Sequence, residues 1–207
     1  GGIIITASHN PHTDNGLKIF KSDGEKLSPE DVKTINQFYN KYYDENSETT
    51  HHIFPQLNLA SYTDITDMYI SYVNERLSKY DIPVVWDSSN GAFSYIIKHL
   101  PFKIIQSTPN GYNINLKCGS NHPEIIQQVV QNSPNPVIGA ACDGDGDRLI
   151  CVDEKGSKLT SEHIAAILIR YRHPKGVVTS VMCNQALIEF AKSHNCDVIQ
   201  VPVGDQN

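Results

Sequence analysis

"PVIGAACDGDGDRLICV", residues 136–152, places an acidic loop between two apolar runs. The first run, PVIGAAC, is rich in small and β-branched residues and predicts a buried strand. The second run leads into the turn-forming residues 153–156, a pattern that predicts a hairpin. The loop carries Asp143, Asp145 and Asp147 on alternate positions. Like charges about 4 Å apart repel by roughly 4 kcal/mol near a protein surface, so this loop needs a cation or open water.

On both sides of this stretch, short β-branched runs alternate with longer segments of helical period. The first strand-like run, GIIITA, is followed by a predicted loop and then by a helix that Ser28 caps, with proline at its first position. A further helix is predicted at about 91–100. This alternation is typical of the α/β class. We predict domains at 1–60, 61–148 and 149–207, with the first and last incomplete because both ends of the chain read as cut from a longer one.

Composition narrows the classes of function. With 207 residues and 39% hydrophobic content, the chain is long enough to bury a core. The net charge of −6 comes without any lysine or arginine block, which argues against a nucleic-acid partner and favours small ligands. Five cysteines without a C-x-x-C pair argue against a disulfide framework or structural zinc and predict a cytoplasmic location. The apolar runs are too short for a membrane span, and we expect no membrane partner.

A second polar loop, TASHNPHTDNGLK at residues 6–18, contains Ser8, His9 and Lys18. Such a loop after a strand is a usual place for functional residues in α/β sheets. Taken alone, Ser8 is equally well explained as a turn residue, His9 as a hydrogen-bonded loop residue and Lys18 as a surface or phosphate-pairing lysine.

The acidic loop has three interpretations. A calcium EF-hand loop would match the three aspartates and Glu154, but Arg148 stands where that loop needs glycine. A solvated turn is also open. Carboxylates without cysteine or histidine favour a hard cation such as Mg²⁺, whose shell a phosphate oxygen would help to fill. A phosphate carried on Ser8 would supply that oxygen.

Together, TASHNP…DNGLK and DGDGDR resemble the α-D-phosphohexomutase superfamily. The resemblance implies consecutive three-layer α/β domains with mixed sheets. It implies phosphoserine at Ser8 and Mg²⁺ bound by Asp143, Asp145 and Asp147, with Ser8 completing the metal site. It assigns proton transfer or charge stabilisation to Lys18 and His9, and support of the phosphoserine region to Arg148.

Within that superfamily, GIIITASHNPHTDNGLKIFKSDGEKL and PNGYNINLKCGSNHPE resemble the phosphoglucosamine mutase branch more than the phosphomannomutase or phosphoglucomutase branches. The implied reaction interconverts glucosamine 6-phosphate and glucosamine 1-phosphate, on the way to cell-wall precursors. It passes through a sugar 1,6-bisphosphate, which also primes the enzyme. The expected partner is a phosphosugar, and the sequence makes no prediction of oligomeric state.

One departure from the family lies at the end of the chain. The family often has V-G-D-R-Y where this sequence reads VGDQN, with Gln206 in the arginine's place and Asn207 last. The sugar-selecting loop and the phosphate-clamping domain of the family are also not found in it, so we expect these 207 residues alone to be a poor or inactive mutase. The alternatives are a non-catalytic module that binds metal or phosphosugar, and an aspartyl-phosphate phosphatase in which Asp143 is the nucleophile.

Overall fold

The computed structural model of the protein describes residues 1–45 and 63–204. The predicted domain boundary near residue 60 and the departure at residues 206 and 207 lie outside the described residues. The strands of the described residues are β1 (Gly2–Ile5), β2 (Leu17–Phe20), β3 (Val84–Asp87), β4 (Lys103–Ile105), β5 (Ile138–Cys142), β6 (Leu149–Val152), β7 (Lys158–Leu159), β8 (Gly176–Ser180) and β9 (Asp197–Val201).

Helices alternate with these strands. The α-helices of the described residues are α1 (Pro29–Glu45), α2 (Thr63–Leu77), α3 (Ser94–Ile97), α4 (Pro123–Gln131), α5 (Ser161–Arg172) and α6 (Gln185–Ser193), and a 3₁₀ turn spans Gly119–Asn121. Helix α1 begins as the sequence predicts, since Ser28 Oγ accepts the Asp31 N–H at 3.2 Å and Pro29 is the first helical residue.

The strands form three sheets. The central five-stranded sheet has the order β4-β3-β5-β6-β7, in which β4, β3 and β5 are parallel and β6 and β7 are antiparallel. Strands β1 and β2 form an antiparallel pair, and β8 and β9 a parallel one. The predicted α/β class with mixed sheets is confirmed. The five-stranded sheet continues past the acidic loop to Leu159, and the predicted domain limits stay a prediction.

The core of the central sheet lies beneath helix α4. Ile126 and Val130 of this helix are buried against Val85, Ala141 and Val152 of the sheet. The helix can approach closely because Gly139 lies beneath it, where a Cβ atom would be 2.8 Å from Ile126 Cγ1.

Replacing Ile126 with alanine should therefore lower the free energy of unfolding by about 2–5 kcal/mol, because its side chain is fully buried and its truncation leaves a cavity in the core. Urea denaturation followed by circular dichroism measures the change. The control is Gln128→Ala on the exposed side of the same helix. Equal midpoints for the two variants would contradict the packing described here.

Two predicted segments differ from the structure. The segment between GIIITA and Ser28 was expected to form a loop, but residues 17–20 form β2 and pair with β1, with Ile4 opposite Lys18. The helix expected at about 91–100 is reduced to Ser94–Ile97. Its beginning is tied instead to the acidic loop, since the Ala92 N–H donates to the Gly144 carbonyl at 2.8 Å. Its end precedes Pro101, which disfavours helix at the residue before it.

Two further findings bear on the composition arguments. All five cysteines lie in the described ranges and are free thiols. Burial raises the pKa of Cys142 to about 11, as expected of a core residue rather than a reactive one. Within the described ranges, none of the helices combines the length and the apolar character needed to cross a bilayer.

Candidate active site

Ser8 lies in the connection between β1 and β2. The Thr6 N–H donates to the Gly16 carbonyl at 3.0 Å, so the connection begins and ends at the hairpin. The Ser8 N–H donates to Thr6 Oγ1 at 2.9 Å, and the Asn10 N–H closes a turn on the Ala7 carbonyl at 3.0 Å. Ser8 has φ 54°, a left-handed conformation that is uncommon for serine. Residues in such conformations gather at functional sites, where the surrounding structure holds them.

The acidic loop leaves the carboxyl end of β5, next to the parallel strand β3. This edge is where ligands bind in open α/β sheets. Asp143 is fully buried, and its Oδ1 accepts the Arg148 N–H at 3.1 Å. Gly146 allows the turn, with φ 79°, and its N–H donates to the Asp143 carbonyl at 3.1 Å.

The structure brings these two loops together. Ser8 Oγ donates to Asp143 Oδ2 at 2.7 Å, across 135 positions of sequence. Thr6 Oγ1 donates to Asp145 Oδ2 at 2.9 Å. The hydroxyl of Ser8 therefore lies against the acidic loop, as the complementary chemistry of the two loops predicts.

Lys18 is the third contact between the loops. From β2 its Nζ reaches Asp147 Oδ2 at 2.9 Å and Asp145 Oδ2 at 3.0 Å. Hydrogen bonds to Asp147 and Asp145 raise the pKa of Lys18 above its usual value. Burial alone would raise the pKa of Asp145, but hydrogen bonds from Lys18 and Thr6 outweigh burial and lower it. In this arrangement Lys18 is an ammonium that neutralises the acidic loop, and its role as a base stays a prediction.

The acidic loop fits a divalent cation. One carboxylate oxygen from each of Asp143, Asp145 and Asp147 lies within 4.8 Å of the others. Asp145 Oδ1 is buried and accepts no hydrogen bond from the described residues, so a ligand position is left over. Three carboxylates without a thiolate or an imidazole are the donor set of a hard ion.

The two remaining predicted residues lie at the edge of this cluster. His9 Nδ1 is 3.4 Å from Ser8 Oγ. Arg148 Nε is 3.8 Å from Asp143 Oδ2, and its side chain is half exposed. The structure thus brings all seven predicted side chains to one place, while their catalytic roles stay predictions.

Three further residues contribute contacts to the site that the sequence did not predict. Thr6 links Ser8 to Asp145, as described above, and only its position two residues before Ser8 could have indicated it. Asn115 and Asn121 donate side-chain hydrogen bonds to backbone carbonyls of the Ser8 loop. Side-chain contacts to a backbone carbonyl leave no pattern in the sequence.

Comparison with known proteins shows which family this chain is similar to. The sequence model of the phosphoglucomutase/phosphomannomutase α/β/α domain I matches residues 1–46, and that of domain III matches residues 160–207. The phosphoglucosamine mutase of Limosilactobacillus reuteri is 36% identical over 99% of this chain and 48% of that protein. That of a Nitratiruptor species is 34% identical over 99% of this chain and 49% of that protein. The chain is similar to phosphoglucosamine mutases over nearly its whole length, and its two ends match domains of the phosphoglucomutase/phosphomannomutase family.

The resemblance predicted from the two loops is thereby confirmed. Solved structures agree on the fold of this chain. It superposes on a phosphomannomutase-like protein of Thermus thermophilus with a TM-score of 0.74 at 21% identity, over 99% of this chain and 49% of that one. A phosphoglucomutase/phosphomannomutase family protein of Burkholderia thailandensis gives 0.64 at 23% identity, over 98% and 45%. The chain spans about half the length of the curated relatives it matches.

Proposed function

We propose that this chain carries the phosphoryl-transfer centre of a phosphoglucosamine mutase, which interconverts glucosamine 6-phosphate and glucosamine 1-phosphate. The observation that carries the proposal is the 2.7 Å contact between Ser8 Oγ and Asp143, inside a carboxylate cluster suited to a divalent ion. The identity to curated phosphoglucosamine mutases over nearly the whole chain supports the choice of sugar.

In the proposed reaction Ser8 carries the phosphoryl group. The bond from phosphorus to Ser8 Oγ breaks as a bond forms to the free hydroxyl of the sugar phosphate, which loses its proton, while Ser8 Oγ regains one. The products are Ser8 hydroxyl and a sugar 1,6-bisphosphate. After the sugar reorients, its other phosphate returns to Ser8 by the reverse steps. A small supply of the same bisphosphate would prime protein that lacks phosphate on Ser8.

The residues around Ser8 have matching tasks. Asp143 holds the Ser8 hydroxyl in place by accepting its hydrogen bond, and Lys18 and Arg148 supply positive charge beside the transferring group. His9 is placed to donate a hydrogen bond to phosphate on Ser8. The three aspartates would hold Mg²⁺, which when bound neutralises charge on the phosphoryl oxygens.

The arrangement favours Ser8 over Asp143 as the phosphate carrier. Asp143 is fully buried, and its oxygens accept hydrogen bonds from Ser8 and the Arg148 backbone. An attacking carboxylate would have to lose these partners and become exposed. Ser8 is only partly buried. If its hydroxyl turns away from Asp143, a bound divalent cation would still pair with the buried charge of Asp143.

The test is conversion of sugar 6-phosphates to 1-phosphates by the full-length protein, followed by ³¹P NMR. Glucosamine 6-phosphate, glucose 6-phosphate and mannose 6-phosphate are compared at equal concentration with Mg²⁺ and a trace of the matching bisphosphate. We expect the highest kcat/KM for glucosamine 6-phosphate. Preference for glucose or mannose would replace the substrate but keep the mutase, and conversion of none would reject the proposal. A cytoplasmic location and the low activity of these 207 residues alone stay predictions.

Lys18 offers a test of the metal site that needs no turnover. Replacing Lys18 with methionine should tighten Mg²⁺ binding by about five- to tenfold, because the ammonium competes with the ion for Asp145 and Asp147 and is partly screened by solvent. Isothermal titration of the full-length protein with Mg²⁺ measures the change. The matched control is Lys21→Met, which removes a pair with Glu25 outside the cluster. Equal affinities in wild type and Lys18→Met would show that the ion binds elsewhere.

A further inference from the structure

A loop that follows β4 holds the backbone of the Ser8 loop by hydrogen bonds. The carbonyls of Ser8 and Asn10 both accept hydrogen bonds from Asn115 Nδ2, each at 2.9 Å. The intervening carbonyl, that of His9, accepts one from Asn121 Nδ2 at 3.0 Å. Three consecutive carbonyls of one loop thus point at amide donors more than a hundred residues away in sequence. These donors belong to residues 115–121, which we call the amide loop.

These hydrogen bonds are made where the backbone of the Ser8 loop is strained. Ser8 has φ 54°, a backbone conformation that serine seldom adopts unaided, and this conformation sets the directions of its carbonyl and its side chain. Two hydrogen bonds from one planar amide, to the carbonyls of residues 8 and 10, fix the Ser8–His9 and Asn10–Pro11 peptide planes. Fixing the Ser8 carbonyl also keeps Ser8 Oγ directed towards Asp143 Oδ2.

Asn115 is itself held firmly. It also has a left-handed conformation, with φ 56°, and its N–H donates to the Ser89 carbonyl at 2.9 Å. The fully buried Asp87 ties the strand end to the amide loop, since its two oxygens accept the Ser89 and Gly119 N–H groups, each at 2.9 Å. The amide loop is therefore anchored to the central sheet.

Gly144, between the first two aspartates, packs against the same hydrogen bond. A Cβ atom at this position would lie 2.7 Å from the Ser8 carbonyl oxygen and 2.9 Å from Asn115 Nδ2. The contact between Asn115 and Ser8 is thus enclosed by the acidic loop, and nucleophile, acidic loop and amide loop meet at one point.

We propose that Asn115 is a positioning residue for phosphoryl transfer, which keeps Ser8 in its left-handed conformation and aims its hydroxyl at the acidic loop. The inference rests on the proposed function for its catalytic consequence. Phosphoryl transfer depends mainly on alignment, and a displacement of about 1 Å can cost roughly 100-fold in rate. Both amide hydrogens of Asn115 are used on the Ser8 loop, so this NH₂ group acts on the reaction through Ser8.

The main variant is Asn115→Gly, because glycine accepts the positive φ and removes only the amide. In the full-length protein we expect kcat for glucosamine 6-phosphate to fall about 10- to 100-fold while KM changes by less than about threefold. Asn115→Asp is the second variant, since aspartate also tolerates this conformation but cannot donate. The control is Asn110→Ser on an exposed turn, where serine can still accept the Tyr112 N–H.

Hydrogen exchange read by mass spectrometry gives a measurement that does not need activity. Loss of the two hydrogen bonds should speed exchange in residues 6–10 by about tenfold in Asn115→Gly, with helix α4 unchanged. Unchanged exchange, or faster exchange with unchanged kcat, overturns the inference, as does a rise in KM alone. If the wild type converts no sugar phosphate, the proposed function fails, and hydrogen exchange alone decides whether Asn115 holds the loop.

Discussion

Replacing Ser8 with alanine is expected to remove covalent phosphate from the protein and to lower turnover of glucosamine 6-phosphate by more than about 10³-fold. The reason is that the proposed reaction has no route that avoids the Ser8 hydroxyl, and losing a nucleophile removes the covalent step outright. Mass spectrometry of the full-length protein locates the phosphate, and a coupled assay measures turnover with added sugar 1,6-bisphosphate.

The left-handed conformation of Ser8 requires a second variant. Alanine at φ 54° is strained, so a loss of activity in Ser8→Ala alone could report a distorted loop. Ser8→Gly removes the same hydroxyl without that strain and should be equally inactive. Thr13→Ala is the matched control, because it removes an exposed hydroxyl of the same loop that donates to Asp14. Turnover by Ser8→Gly, or a protein-bound phosphate that hydroxylamine releases, would contradict Ser8 as the nucleophile and favour a carboxylate in its place.

Sequence reasoning found the fold class because the strands and helices of this chain differ clearly in length and period. The strand before the acidic loop and the hairpin after it follow directly from PVIGAAC and from the turn after RLICV. Strand β2 escaped because four residues after the turn-forming Asn15 and Gly16 are too few to show a period. Helix α3 was overestimated because its first residues are claimed by the acidic loop, a tertiary contact that no local pattern records.

The site shows the same division between chemistry and geometry. The sequence indicated that Ser8 and the acidic loop belong together, because the aspartates need a cation and a phosphate on Ser8 would supply that cation with a further oxygen ligand. What the sequence could not supply was the manner of their meeting. The left-handed Ser8, the Thr6 bridge and the grip of Asn115 depend on backbone orientations set by distant segments. Lys18 was identified by position, but its pairing with Asp145 and Asp147, which raises its pKa, required the structure.

Asp145→Asn should weaken Mg²⁺ binding and lower kcat, each by about 100-fold, with the protein still folded. Asparagine keeps the shape of the side chain and one oxygen that can accept from Thr6 and Lys18, but it removes one of three charges and the buried Oδ1, which accepts no hydrogen bond from the described residues. The rate falls with the affinity because positive charge beside the transferring group is the main contribution that the site makes to the reaction. Turnover measured against free Mg²⁺ gives both quantities in one titration.

The control is Asp197→Asn, an exposed carboxylate at the start of β9 and outside the acidic cluster, which should titrate like the wild type. Excess Mg²⁺ distinguishes the two effects in Asp145→Asn. If the variant only binds the ion weakly, high Mg²⁺ restores kcat, whereas a kcat that stays low shows that the carboxylate also orients Lys18 and Thr6. A magnesium response identical to that of the wild type would remove Asp145 from the metal site, and with it the reason for the three alternating aspartates to lie against Ser8.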